Sequence, residues 1–194
     1  GRSQHAPALG LTWAIAPETL EVSVTTGAAQ VRHADGGSQR GLNDTEVGAK
    51  WRVRDGGERG LSLTLAPTVV APSAADGIGD GRWRYVVPVI AQLQRGSMTY
   101  VANAGWSDSF AGGAGEVSLS VLAERRLSER LAVGVELFGA APASDWAAGR
   151  LDANLGARFT LKPGLELQAL VGRSVAAGDD GPATLGRLAL ECAF

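Results

Sequence analysis

Hydrophobic and polar residues alternate with a period of two almost from one end of the chain to the other. Leu9, Leu11, Trp13 and Ile15 alternate with Gly10, Thr12 and Ala14, and Leu20, Val22 and Val24 with Glu21, Ser23 and Thr25. Val47, Ala49, Trp51 and Val53 alternate with Glu46, Gly48, Lys50 and Arg52. The pattern continues through 61–69, 82–95, 97–107, 116–125, 131–140, 149–161, 165–175 and 183–194. Successive side chains of a strand point to opposite faces, so the pattern predicts about eleven strands. At roughly ten residues each, they exceed the ~5–6 usual in globular sheets and approach the ~9–11 that cross a bilayer at a tilt. Leu119, Ala123, Leu127 and Leu131, four apart, would also suit an amphipathic helix. The alternation of Val117, Leu119, Val121 and Ala123, resumed at Leu131, Val133, Val135 and Leu137 after "LSER", favours strand, turn, strand.

The connections are of two kinds that take turns along the chain. "APET" at 16–19, "DGGE" at 55–58, "RG" at 95–96, "LSER" at 127–130 and "KPG" at 162–164 carry tight-turn chemistry. Between them lie longer Gly/Asp/Ser-rich stretches at 33–44, 73–81, 108–115, 141–148 and 177–182. Short turns at one end and long loops at the other describe a single-domain, antiparallel up-and-down meander over 1–194.

Alternation alone leaves a soluble sandwich and a membrane barrel both open. The apolar face reads as free of Lys, Arg, Asp and Glu in the strand interiors, which either environment would enforce. The other face is small and mixed: Gly10, Thr12, Ser23, Gly48, Ser62, Ser118, Ser120, Gly134 and Gly156 stand among the charged residues. A narrow lumen needs such a face; a solvent face usually carries longer chains. The aromatic residues discriminate further. Trp13, Trp51, Tyr100, Phe159 and Phe194 fall on the apolar face near the short turns, and Trp83, Tyr85 and Trp106 near the long loops. Two ring belts around an aliphatic band are the girdles of an outer-membrane barrel. The expected fold is an all-β transmembrane barrel of about 12 strands with about 11 present, in the bacterial outer membrane.

Composition narrows the chemistry. The chain has 194 residues, a net charge of −2, two histidines and one cysteine. No basic field suggests nucleic acid, and Cys192 alone excludes an internal disulfide framework. No metal or other cofactor is expected. The chain opens Gly1-Arg2-Ser3-Gln4, without a leader-like apolar run. The closing "LALECAF" alternates to its last residue, Phe194. With Phe194 and the short turns periplasmic, the strand at 8–16 runs downward, so one N-terminal strand is expected to be missing.

The stretch "GLNDTEVGAKWRV", 41–53, resembles the G-L-x-D-x-x-x-G-x-K-[YW] segment of the outer-membrane family named for the MetA pathway of phenol degradation, also called simply "transporter". "GIGDGRWRYVVPVIAQLQ", 77–94, is similar to that family's next loop and down-strand, and "LSERLAVGVEL" and "APETLEVSV" to its turn-strand phrases. The resemblance implies passive passage of small solutes, aromatic or hydrophobic ones among them. A terminal Phe also resembles the signal read by outer-membrane barrel assembly machinery, which makes that machinery, the lipid bilayer and a small-molecule solute the expected partners.

Candidate lumen residues are Glu46, Lys50, Arg52 (with Arg54), Arg84, Asn103, Glu136, Asp152, Asn154, Arg158 and Gln168. Two readings stand: a charge filter facing the solute, or a network that pairs across the lumen and plugs it. The second belongs to a structural or adhesion-type barrel that binds partners through its outer loops. Pro88, on the polar face, breaks a ladder bond and either marks a bulge or is a tolerated kink. No enzyme is expected, because neither His5 nor His33 is placed in a strand and Glu136 with Asp152 is only a loose acid pair. Asp76, Asp80, Asp179 and Asp180 offer carboxylates for Ca²⁺, though solvated loop charges explain them as well.

Overall fold

The computed structural model describes residues 3–5, 7–32, 37–57, 60–177 and 181–193. Fourteen strands follow one another: β1 (Ser3–His5), β2 (Ala8–Ala16), β3 (Leu20–Arg32), β4 (Ser38–Leu42), β5 (Thr45–Arg54), β6 (Leu61–Leu65), β7 (Thr68–Ala71), β8 (Arg84–Arg95), β9 (Met98–Ser109), β10 (Glu116–Arg126), β11 (Leu131–Pro142), β12 (Arg150–Lys162), β13 (Leu165–Ala176) and β14 (Thr184–Cys192). They form one hydrogen-bonded sheet in essentially sequential order, with β2 and β4 both on β3 and β7 between β5 and β8. The strands pair antiparallel. Taking β6 and β7 as one interrupted strand, the long strands are the eleven expected from the alternation. Residues 116–126 are strand, and the helical reading of 119–131 falls away.

The described residues group into two compact units. One holds 1–53, 64–88 and 107–115; the other holds 54–63, 89–106 and 116–194.

In the first unit three expectations are corrected. His5 lies in β1, opposite Gln30 of β3, because the long β3 extends past β2 and recruits further partners. His33 lies outside the described residues. The stretch 33–44 contains β4, whose Ser38–Leu42 pair with Ala28–Arg32. The predicted strand 61–69 breaks at Ala66-Pro67, since Pro67 has no N–H to give the ladder. Ala66 N–H instead donates to Pro88 O (3.1 Å), and Ala49 N–H to Pro67 O (2.9 Å). Pro88 therefore stands opposite the interruption.

In the second unit the ladder is regular. β10 to β14 pair through unbroken runs such as Leu122↔Glu136↔Asn154↔Gly172, with irregularities in β12–β13 confined to the strand ends.

Burial shows which face meets what. Among the described residues the buried apolar ones are Ala29, Val31, Val70, Ala132, Ala140 and Ala141, far too little for the core of a soluble chain of this length. Leu119, Val121, Val135, Leu137, Leu155 and Val171, all on the apolar face, are exposed. Burying a side chain of this size away from water is worth ~1.5–3 kcal/mol, so a face this bare needs an apolar surrounding.

The turns use the expected chemistry, with one strained exception. Gly96 and Gly164 adopt positive φ (59° and 75°) at their hairpins. Ser128 Oγ accepts from Arg130 and Leu131 N–H within "LSER". In "APET", Thr19 N–H donates to Ala16 O (3.0 Å), which forces Glu18 to φ 60°. A left-handed non-glycine residue costs ~1–2 kcal/mol. Replacing Glu18 by Gly is expected to raise stability by about 1 kcal/mol, read as a later urea midpoint with unchanged slope. A lower midpoint would show that the Glu18 side chain matters more than its backbone.

Candidate functional site

The second unit's polar face carries a connected set of side chains. Arg158 on β12 reaches Glu124 on β10 with a forked contact, Nε to Oε2 at 2.8 Å and Nη2 to Oε1 at 2.6 Å. Its Nη1 lies 3.4 Å from Glu166 Oε2 on β13. Gln168 Nε2 then donates to Glu166 Oε1 and to Glu191 Oε2 on β14, each at 2.9 Å. One chain of contacts thus ties four strands together, skipping only β11.

The skip explains the small residues on β11. Neighbouring strands lie ~4.8 Å apart, so an arginine reaching across two spacings must pass over the strand between. Ala132 and Gly134 are what it passes: Arg158 pairs with Ala132, and Glu124 with Gly134. A Cβ at Gly134 would already press on Ala123 O and Glu124.

Nearer the long loops a second group forms. Asn154 Nδ2 donates to Glu136 Oε2 (3.0 Å), and Ser174 Oγ to Asp152 Oδ1 (2.8 Å). Arg150 Nε stands 3.4 Å from Asp152 Oδ2, and its guanidinium lies 5.6 Å from the Phe138 ring centroid. The side-chain oxygens of Asn103 and Asn154 are buried without a hydrogen-bond partner among the described residues. A Cβ on Gly172 would strike Asn154, so that glycine is needed for space. A polar cavity of about 520 Å³ opens beside the Arg158 fork, lined by Gln92, Gln94, Thr99, Arg126 and Thr160 among others.

The first unit treats its predicted residues differently. Lys50 is 3.9 Å from Glu21 on β3 and largely exposed. Glu46 and Arg52 share its face of β5 and form no ion pair among the described residues. Arg84 serves a loop: Nη2 lies 3.7 Å from Asp44 and Nε 3.3 Å from Asp80. The Asp44 side chain is only 11% exposed and also accepts from Ala74 N–H (3.0 Å). Ala75 N–H donates to Leu42 O, and Thr45 N–H to Ser73 Oγ. The "GLND" at 41–44 is thus the anchor of the 73–81 loop, and Asp80 is engaged with Arg84 and with Arg82 N–H. Asp179 and Asp180 lie outside the described residues.

Among the girdle candidates, Trp13, Trp51, Trp83, Tyr100, Trp106 and Phe159 are exposed. Trp83 stands just before β8, not inside it. Tyr85 is half-buried against Phe110, ring centroids 5.2 Å apart at 64°, a partner the alternation did not suggest. Trp146, exposed in a short 3₁₀ turn at Trp146–Ala148, was equally unforeseen. Phe194 lies outside the described residues. The apolar face is not free of charge: Arg125 stands on it next to the end of β10, and Arg173 stands on it between Val171 and Val175 of β13.

No family model matches the chain, and no curated protein matches it in sequence. Solved structures do match in shape. "KdgM porin" superposes with a TM-score of 0.69 at 11% identity, covering 100% of this chain and 96% of that one. "KdgM porin in complex with disordered oligogalacturonate" gives 0.70 at 11% identity over 100% and 95%. The COG4313 outer membrane channel from Pseudomonas putida F1 gives 0.64 at 16% identity over 94% and 79%. At these identities the shared property is the fold, an antiparallel up-and-down barrel of the outer-membrane porin type.

The fork makes a quantitative prediction. Arg158 is 47% exposed, so solvent screening holds its coupling to Glu124 near about 1 kcal/mol. A double-mutant cycle of Glu124→Ala and Arg158→Ala, read by urea unfolding in lipid vesicles, is expected to return that value. In a Gly134→Leu background the coupling is expected to vanish; persistence would show that the arm does not cross β11 at Gly134.

Proposed function

We propose that this chain is an outer-membrane channel for the passive passage of small solutes, its polar face lining the lumen and its apolar face set in lipid. The observation that carries the proposal is the contrast between the faces: large apolar side chains are bare on one, while cross-strand ion pairs and hydrogen bonds crowd the other. The porin-type fold supports the same reading, as does the loop anchor built by the family-like "GLND" segment. Glu46, Lys50 and Arg52 at one part of the lumen, and Asn103, Glu136, Asp152, Asn154, Arg158 and Gln168 at another, would set its electrostatic character.

The side chains around the paired arginines bear on the solute class. Arg158 is held by two carboxylates and Arg150 by Asp152, whereas Arg52, Arg126 and Arg187, also on the polar face, form no ion pair among the described residues. Leu122, Leu170 and Phe138 share the polar face with these pairs. Apolar side chains beside the Arg158 and Arg150 pairs support small aromatic or hydrophobic solutes, in line with the resemblance to the phenol-degradation family. The same braces favour a second reading, a plugged barrel acting through its loops. Assembly through Phe194 rests on the sequence alone.

Single-channel recording of the full-length protein in planar bilayers separates the two. Steady conductance is expected, with ion selectivity shifting toward cations when Lys50 and Arg52 are both changed to Glu. A folded but silent barrel would favour the plugged reading.

A further inference from the structure

Arg173 is the anomaly of the apolar face. Val171 and Val175 flank it on the same side of β13, and both are 61% exposed. Its cross-strand neighbours are Ala153 on β12 and Thr184 on β14, side chains too short to cover a guanidinium. It makes no ion pair or hydrogen bond among the described residues, and it stands three positions before the end of β13, on the long-loop side. An arginine here is costly in lipid unless it finds an anion, with a penalty that is largest at mid-plane and falls toward the interface.

Arg173 also borders an apolar cavity of about 920 Å³. The cavity runs across the strands, with Leu122, Glu136, Asn154 and Gly172 as one register row along its floor. Its walls are side chains of the apolar face, and the alanines at 91, 102, 123 and 153 give it depth. The Glu136 side chain is turned to the opposite face, where it accepts from Asn154. Arg173 is therefore the charged side chain on this face of the cavity.

We propose that this groove and Arg173 form a binding site for an anionic phospholipid, its acyl chains in the groove and its phosphate on the guanidinium. The chemistry is complementary at both ends. An apolar trough wider than a side chain takes hydrocarbon, and an arginine flanked by Ala and Thr presents several N–H donors to phosphate oxygens. The long arginine stem can lie along Val171 and Val175 while its head rises to the headgroup level. The site rests on the reading that the apolar face meets lipid, but it claims selectivity where that reading claims only contact.

Native mass spectrometry of the full-length protein in detergent tests the site, with dioleoyl-phosphatidylglycerol against dioleoyl-phosphatidylcholine as probes. About tenfold preferential retention of the anionic lipid is expected, with no competition from inorganic phosphate. Arg173→Gln is expected to abolish the preference while the barrel stays folded. Ala153→Leu, which fills the groove and keeps the charge, is expected to lower retention of both lipids. Equal retention of the two lipids by the wild type, a preference that survives Arg173→Gln, or displacement by inorganic phosphate would each overturn the site. A change in oligomeric state on Arg173→Gln would also overturn it, and would make the residue a contact between copies. None of these outcomes depends on whether the lumen conducts.

Discussion

Every backbone N–H and C=O of a strand in lipid must find its partner in the next strand, because the hydrocarbon offers none. The rest of this molecule follows from that constraint. β10 to β14 meet it with continuous ladders, and their departures from register sit where the strands end. The first unit meets it less regularly. Pro67 lies in the break between β6 and β7 and Pro88 on β8 opposite it, and the carbonyl of each accepts an N–H, from Ala49 and Ala66. The fold can carry two prolines because each removes a donor while leaving an acceptor in use.

Once the ladder is fixed, the two faces are fixed with it, and each needs its own solution. On the apolar face the solution lies outside the chain, since the described residues bury almost nothing there. On the polar face the solution is internal. Arg158 satisfies carboxylates from two strands, and Gln168 extends the chain of contacts to a third. Small residues on β11 make that reach possible, so the glycine at 134 and the arginine at 158 belong to one device. On that face Arg158 and Arg150 are committed to carboxylates, with Leu122 and Leu170 beside the Arg158 network.

The strands were legible in the sequence because period two is a property of the chain itself. Lengths, turn sites and the identity of each face follow from it directly. Register is not a property of one strand, and the features that depend on register were missed. Alternation places Glu124, Glu166 and Glu191 on the polar face with the small residues but does not mark them as partners of Arg158 and Gln168. The partners of Arg84 could not be read from alternation, since Asp44 lies outside the strands and Asp80 in a loop. Arg173 is masked in the alternation because valines on both sides dominate the local pattern. Chain breaks were missed where one residue decides them: Pro67 splits a strand that reads as continuous, and the Gly-rich 33–44 segment conceals β4 behind loop-like composition.

The central claim is that adjacent residues of one strand face lipid and lumen. Ser120 and Val121 of β10 test it, each changed singly to Cys in a Cys192→Ser background and carrying the same small thiol-linked fluorophore in bilayers. With lipids brominated along the acyl chain, the probe at 121 is expected to be strongly quenched and the probe at 120 nearly untouched. Equal quenching at the two positions, or stronger quenching at 120, would contradict the account.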